Sequence, residues 1–495
     1  MKCTRILATL ILLISVLTLV AVCGCDDDDD DDDNDDIAGD DDDDNDTAGD
    51  DDDDDTSGAT PQVRLSAYDS AGDFFVTAFR DGDWHAENVD AGGAIGLMFA
   101  DSHPDYANAW ESVGEYIEPK AIVHFDGDTW RKETIDGDFI YVGPVAFHDG
   151  LGLAIAGVES GGDEDCRDII AHDADGWSPE SLPAITFDYY LFEGPVFDNN
   201  GDAFVLGQDT SDDESGEDFI LKRGESGWQI ETLPTISDDW WFNYSFNPQI
   251  SVSPEGQVWV RGCDAENDET FLLTQDGKGW GKENLPEVGE HWRINDIAFC
   301  PDGTMFAVGE EDETESGLIL KKDGTWAQES FEYAADEWEF AEVYCTPGNL
   351  AFAVATVDLD DSYDTFLASN RSGAWVEEEL PLSDARVRFS GVLGMDDGRV
   401  FVWGEQFVSE DVRAPFFLTL DEGAWLVADL SFLPDGDTRW GMMFMEEDIM
   451  VDSDGELWAG VATLNQTSVL NFYGDSWTDL TPGGEPLMGW DLITY

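Results

Sequence analysis

The chain has 495 residues, 42% hydrophobic and 12% aromatic, enough apolar material to bury an extensive core. It carries 112 acidic side chains against 22 basic ones, a formal charge of −90. Phosphate binding needs clustered Lys and Arg, so nucleic acid is excluded as a natural partner, and charge-driven adhesion to anionic lipid is disfavoured.

The first 25 residues read as a targeting segment. "MKCTR" is a short basic stretch, followed by the apolar run Ile6 to Val22 and then "CGC". This end resembles the lipobox of bacterial lipoproteins, in which a small residue precedes a cysteine that is cleaved and acylated. Gly24 is that small residue and Cys25 the lipidation site; Cys23, preceded by Val22, fits less well. A plain secretory signal and an uncleaved anchor helix are the other readings. The resemblance implies a membrane attachment through the N-terminal lipid and a cell-envelope address, outer membrane or cell surface.

Residues 26 to 55 contain 22 Asp in 30 positions, broken by "IAG" and "TAG". Nothing apolar is present to fold around and like charges repel, so 26–60 is expected to be a disordered, low-complexity stalk with a reach of at most about 115–125 Å. Contiguous Asp lacks the spaced ligands and glycine turn of a calcium loop, so no defined cation site is expected there.

From residue 61 to 495 one phrase recurs. Trp84, Trp130, Trp177, Trp228, Trp280, Trp326, Trp375, Trp425 and Trp477 follow one another at spacings of 46 to 52 residues. Each follows a Gly-bearing turn after a short apolar run, as in "GLILKKDGTW", which reads as a tight hairpin. Seven of the nine carry Glu three residues later: Glu87, Glu133, Glu180, Glu231, Glu283, Glu329 and Glu378. A second hairpin lies upstream in each period, as in "NDIAFCPDGTMFAVGE" (295–310). Four short antiparallel strands, A to D, per roughly 48 residues predict an all-β propeller, of nine blades by the marker count with eight as the alternative. The marker Trp is expected to wedge between neighbouring blades. The N-terminal end supplies strands B, C and D without an A, and "PLMGWDLITY" (486–495) supplies a lone strand, so the C-terminal strand is expected to complete the first blade and close the ring.

The C–D turns resemble the Asp-box of sialidase-like and sortilin-like propellers. Asp126-Gly127-Asp128-Thr129-Trp130 and Asp323-Gly324-Thr325-Trp326 are the best matches, although Asp and Gly are adjacent and the leading Ser is missing. The resemblance implies the propeller fold.

In such blades the B–C and D–A loops share one face, and that face carries the unusual residues. Its D–A segments hold Tyr189, Tyr190, Trp240, Trp241, Trp292, Trp338, Trp440 and Trp490, together with Arg293, Arg386, Arg388 and Arg439. Aromatics beside carboxylates suit sugars, cations or basic peptides, whereas their periodic placement favours packing at the start of strand A. The B–C loops are acid-rich; Asp212, Asp213, Glu214, Glu311, Asp312 and Glu313 would associate weakly with calcium, and no other cofactor is expected. The six histidines are scattered, and no hydrolase, zinc or phosphate-loop motif is present. The leading expectation is a monomeric, non-enzymatic binding or scaffold module for a protein, peptide or glycan; a surface glycan-acting enzyme, a sialidase-like hydrolase or a lyase, is the alternative. Cys166, Cys263, Cys300 and Cys345 lie in an oxidising compartment, with Cys300 and Cys345 at matching positions of adjacent repeats. That placement makes a bridge between them conceivable, with buried free thiols as the default because innermost strands of neighbouring blades can lie beyond the Cα separation a disulfide needs.

Overall fold

The computed structural model describes most of residues 63–494, with interruptions of which the longest are 210–217, 243–249 and 431–442. The targeting segment and the Asp-rich stalk lie outside the described residues. Those described form an all-β protein with no α-helix. Among them the strands sort into nine four-stranded antiparallel units, numbered here as blades 1 to 9 along the chain. Blade 6 is typical: Trp292–Phe299 is the inner strand, followed outward by Met305–Glu311, Ser316–Asp323 and Thr325–Gln328. In blade 5 the inner position is shared by two short strands, Trp240–Phe242 and Ile250–Val252.

Blade 1 takes its inner strand from the far end of the chain. Met488–Thr494 pairs antiparallel with Val63–Tyr68, Val63 opposite Thr494 and Ala67 opposite Trp490. The closing strand therefore stands where the unpaired sequence at each end placed it. Every pair of consecutive blades encloses an apolar cluster, and so do the ninth and first, through Val63, Leu65 and Phe79 against Trp458 and Val469. The sheets thus bury both faces only as a ring.

The marker tryptophans lie in these seams. Each belongs to the cluster that its blade shares with the preceding one: Trp130 between blades 1 and 2, Trp326 between 5 and 6, Trp425 between 7 and 8. Several meet an aromatic ring of the preceding blade edge-on, as Trp375 does Phe306 at 5.6 Å and Trp280 does Phe204 at 6.0 Å.

The glutamate of the phrase has a role that the sequence did not disclose. At three of the seven its carboxylate accepts the indole N–H of the next blade's marker: Trp130 Nε1 to Glu87 (2.8 Å), Trp326 to Glu283 (3.0 Å), Trp425 to Glu378 (2.8 Å). A basic side chain completes the clasp, Arg64 and Arg80 at Glu87, Lys322 at Glu283, Arg371 at Glu378. At blade 9 the equivalent residue is Leu480, and its backbone carbonyl receives Trp84 Nε1 instead.

The A–B turns share one local form, seen at Cys300 to Thr304: Cys300 N–H donates to Thr304 O, and Gly303 N–H returns to Cys300 O. Gly303 (φ 81°) supplies the left-handed backbone this turn requires. Consecutive turns touch across the seams, Asn199 donating to Pro254 O and Asn349 accepting from Asp302 N–H. The inner strands therefore converge at this end. That convergence corrects the expectation of unbridged thiols: Cys300 and Cys345 form a disulfide with a Cα separation of 5.2 Å, joining blades 6 and 7. Cys263 is half-buried opposite Trp241, and the side chain of Cys166 lies outside the description.

Deleting residues 486–495 removes the strand that closes the ring and exposes two sheet edges. The expected outcome is a sharply lowered melting temperature with aggregation, whereas deleting 26–55 leaves the melting temperature of a soluble form nearly unchanged. Calorimetry on both deletions checks this; equal melting of the C-terminal deletion and the parent would refute dependence on closure.

Candidate binding face

The inner strands start on the face that carries the B–C and D–A loops. Most of them contain a bulge in their first half, between Ile294 and Asp296 in blade 6, Phe340 and Glu342 in blade 7, and Phe389 and Gly391 in blade 8. A bulge leaves backbone groups without ladder partners, and neighbouring blades satisfy them. Arg261 Nη1 donates to Ile294 O (3.1 Å) and to Asn295 O. Asn295 Nδ2 donates to Phe340 O (2.9 Å) and Glu339 Oε2 (3.0 Å) of the next blade.

The residues after two of these bulges are acids. Asp296 Oδ2 accepts the N–H of Val343 at 2.8 Å, a contact from blade 6 to blade 7. Loss of hydration on burial pushes the Asp296 carboxyl up to about 7, with the neighbouring Glu342 adding to the effect and Arg261 opposing it. Glu342 accepts a hydrogen bond from the Tyr344 hydroxyl. Burial raises Glu342 also, against that hydrogen bond and the attraction of Arg388. Two acids that favour their protonated forms thus sit side by side on the inner strands, with Arg388 close enough to act on one of them.

The aromatic residues anticipated on this face divide. Trp292 (5% exposed) and Trp338 (7%) point into the seams and act in packing. Trp338 lies among Phe331, Tyr333, Phe340 and Phe366, with ring centroids 5.1 to 5.7 Å away. Gly317 makes room for it, since a Cβ there would come within 2.2 Å of the indole. Trp241 is 40% exposed and offers an indole face to a ligand. Tyr190 and Trp490 lie in strands at their expected places, opposite Asp209 and Ala67, with side chains outside the description. Arg439 and Trp440 fall outside the described residues, as do Asp212, Asp213, Glu214, Asp312 and Glu313. Glu311 ends its strand opposite Trp292. Among the described residues no three His, Cys, Asp or Glu side chains are placed to hold a metal ion.

The arginines separate more sharply. Eight described arginines, from Arg64 to Arg413, have a carboxylate within 4 Å, as an excess of acid dictates. Arg293 is among them, with Glu310 at 3.9 Å. Arg386 and Arg388 have no such partner among the described residues. Arg386 stands over the ring of Phe407 at 5.3 Å, which Arg413 also approaches at 4.9 Å while bound to the buried Glu405 at 2.8 Å. Arg388 is exposed two residues further along the same strand edge. Phe407, Arg413, Asp296 and Glu342 were not singled out from the sequence; Asp296 and Glu342 lie four and three residues before their cysteines, so aligning the two repeats does not superimpose them.

No protein-family model and no curated protein matches the chain. Among solved structures it is similar to Porphyromonas gingivalis dipeptidyl peptidase 4, at 9% identity and a TM-score of 0.48, over 82% of this chain and 65% of that one. It is also similar to prolyl oligopeptidase B from Galerina marginata (10%, TM-score 0.36, 60% and 44%) and to a PL25 ulvan lyase (12%, TM-score 0.34, 59% and 80%). The chain thus spans less than two thirds of the peptidase. At this level of similarity the fold rests on the chain's own strand pairing.

The buried acid gives a pH signature. Unfolded, Asp296 ionises near its ordinary 3.8; folded, near about 7. The stabilisation it contributes is complete below the lower value and lost as pH rises through the upper one. Asp296→Asn keeps an acceptor for the Val343 amide and removes the ionisation. Its melting temperature should therefore gain on the parent's progressively from pH 4 to pH 8; a pH-independent difference would overturn the assignment.

Proposed function

We propose that the chain is a lipid-anchored envelope protein, acylated at Cys25, whose propeller is a non-enzymatic binding module facing the cell surface. The partner docks on the face where the inner strands begin. One observation carries this reading: Arg386 and Arg388 have no carboxylate partner among the described residues of a chain with 112 acids and 22 bases. Guanidinium groups pair strongly with carboxylates and sulfates, so two without a carboxylate at ion-pair distance in such surroundings suit an anionic group brought by a partner. The exposed Trp241 adds a stacking surface of the kind that sugars and peptides use. A protein, peptide or glycan bearing a carboxylate or sulfate fits both features. Catalysis on a glycan is the second reading, favoured by Asp296, whose carboxyl near about 7 is suited to a general acid.

Two experiments test the proposal. Titrating the intact protein with neutral and uronate-bearing oligosaccharides and with acidic peptides should give binding by an anionic member, weakened about tenfold to a hundredfold in the Arg386→Ala, Arg388→Ala double variant. Unchanged affinity in that variant would reject the site, and release of new reducing ends would favour the enzyme. Labelled palmitate should enter the protein, and Cys25→Ser should abolish labelling and free it from membranes. Retained label would reject the anchor.

A further inference from the structure

Three of the six histidines, distant in sequence, meet at one seam. His103 and His124 of blade 2 and His172 of blade 3 surround the buried Tyr106, with ring centroids at 4.9, 4.6 and 5.5 Å. The Tyr106 hydroxyl lies 3.5 Å from His172 Nε2 across the seam. Phe147 of blade 3 closes the group, 4.9 Å from His103 and 4.4 Å from Tyr106. We propose that this cluster makes the seam between blades 2 and 3 an acid-sensitive joint, which loosens when the imidazoles are protonated while the rest of the ring stays closed.

The cluster holds a neutral arrangement together by ring contacts and places like charges together when it is protonated. Half-buried, His103 loses hydration as a cation, and its attraction to Asp105 is opposed by His124 and His172; its pKa is accordingly lowered. A histidine lowered on folding contributes stability above its ordinary 6.5 that is lost as pH falls through the lower folded value. The facing acids compensate incompletely. Asp105 is already bound to Arg64 at 3.0 Å, and Glu133 reaches only His124 Nδ1, at 3.7 Å. Arg131, opposite His124 in the strand register, adds positive charge, although it is itself paired with Asp126. From blade 3 the described contacts to the cluster other than His172 are the uncharged Phe147 and Trp177.

Acid acts oppositely at the seam between blades 6 and 7. There Asp296 and Glu342 favour their protonated forms, and the Cys300–Cys345 disulfide joins the inner strands covalently. Lowering the pH therefore directs opening to the histidine seam and away from the disulfide seam. In a ring with a binding face at the inner-strand ends, such a joint would couple pH to the geometry of that face.

Hydrogen exchange of the full chain at pH 7.5 and pH 5.0, corrected for intrinsic rates, tests the joint. At pH 5.0, peptides within 103–125 and 141–177 should lose protection by about tenfold relative to peptides within 292–345. The double variant His103→Phe, His172→Gln keeps an aromatic ring against Tyr106 and Phe147 and should abolish that difference while matching the parent at pH 7.5. Should the variant not fold, the two seams of the parent still decide: equal loss at both, or no loss at either, would overturn the proposal.

Discussion

A single antiparallel ladder, Val63–Tyr68 against Met488–Thr494, turns a row of sheets into a ring. Bringing two ends of a chain this long together costs about 5 kcal/mol in loop entropy, a cost that grows only slowly with length. Against it stand the ladder itself and the apolar cluster that Trp458 and Val469 form with the first blade. The other seams depend on this one indirectly. A blade exposes both faces of its sheet unless it has a neighbour on each side, and an open row leaves the two terminal blades half uncovered.

The second constraint is charge. A body this acidic repels itself, and while most of its described cations pair within their own blade, three of them bridge neighbouring blades. Lys322, Arg223 and Arg64 each reach from one blade to a carboxylate of another, Glu283, Glu180 and Asp105 respectively. The indole N–H groups contribute to the same end without charge, binding Glu87, Glu283 and Glu378 across the seam. Where the glutamate is missing or engaged elsewhere the donor stays buried and unmatched, as at Trp477 and Trp228. Such seams lack the indole clasp, although Arg223 still pairs with Glu180 across the one at Trp228, and the ring is held by unequal joints.

Much of the architecture was legible because repetition turns weak local signals into a strong one. One hairpin before Trp326 is ambiguous, but nine at near-constant spacing are not. Closure was legible from the missing strand at one end and the surplus strand at the other. The disulfide was not, because matching positions in two repeats say nothing about how closely inner strands converge, and that depends on turns packing against one another. The glutamate of the phrase was visible as a pattern and opaque as chemistry, since its partner sits 43 to 47 residues away. The binding-face tryptophans were half readable. Trp292 and Trp338 share their place in the repeat and turn inward, whereas Trp241 sits in the first part of a divided inner strand and stays exposed. The histidines looked scattered in the chain because strand pairing inside blade 2 and packing of blade 2 on blade 3, which set them around Tyr106, join residues far apart in sequence.

The position of the first strand has a mechanical consequence. Whatever precedes Val63 is attached to a strand paired on both sides, with Phe74–Arg80 outward and Met488–Thr494 inward. A pull from that end meets two ladders loaded in parallel and cannot peel an edge strand from its sheet. If the body were held by a partner while the leading segment was drawn the other way, force would enter at the joint where the chain meets itself. Both ends would resist together, and rupture would demand that they part at once.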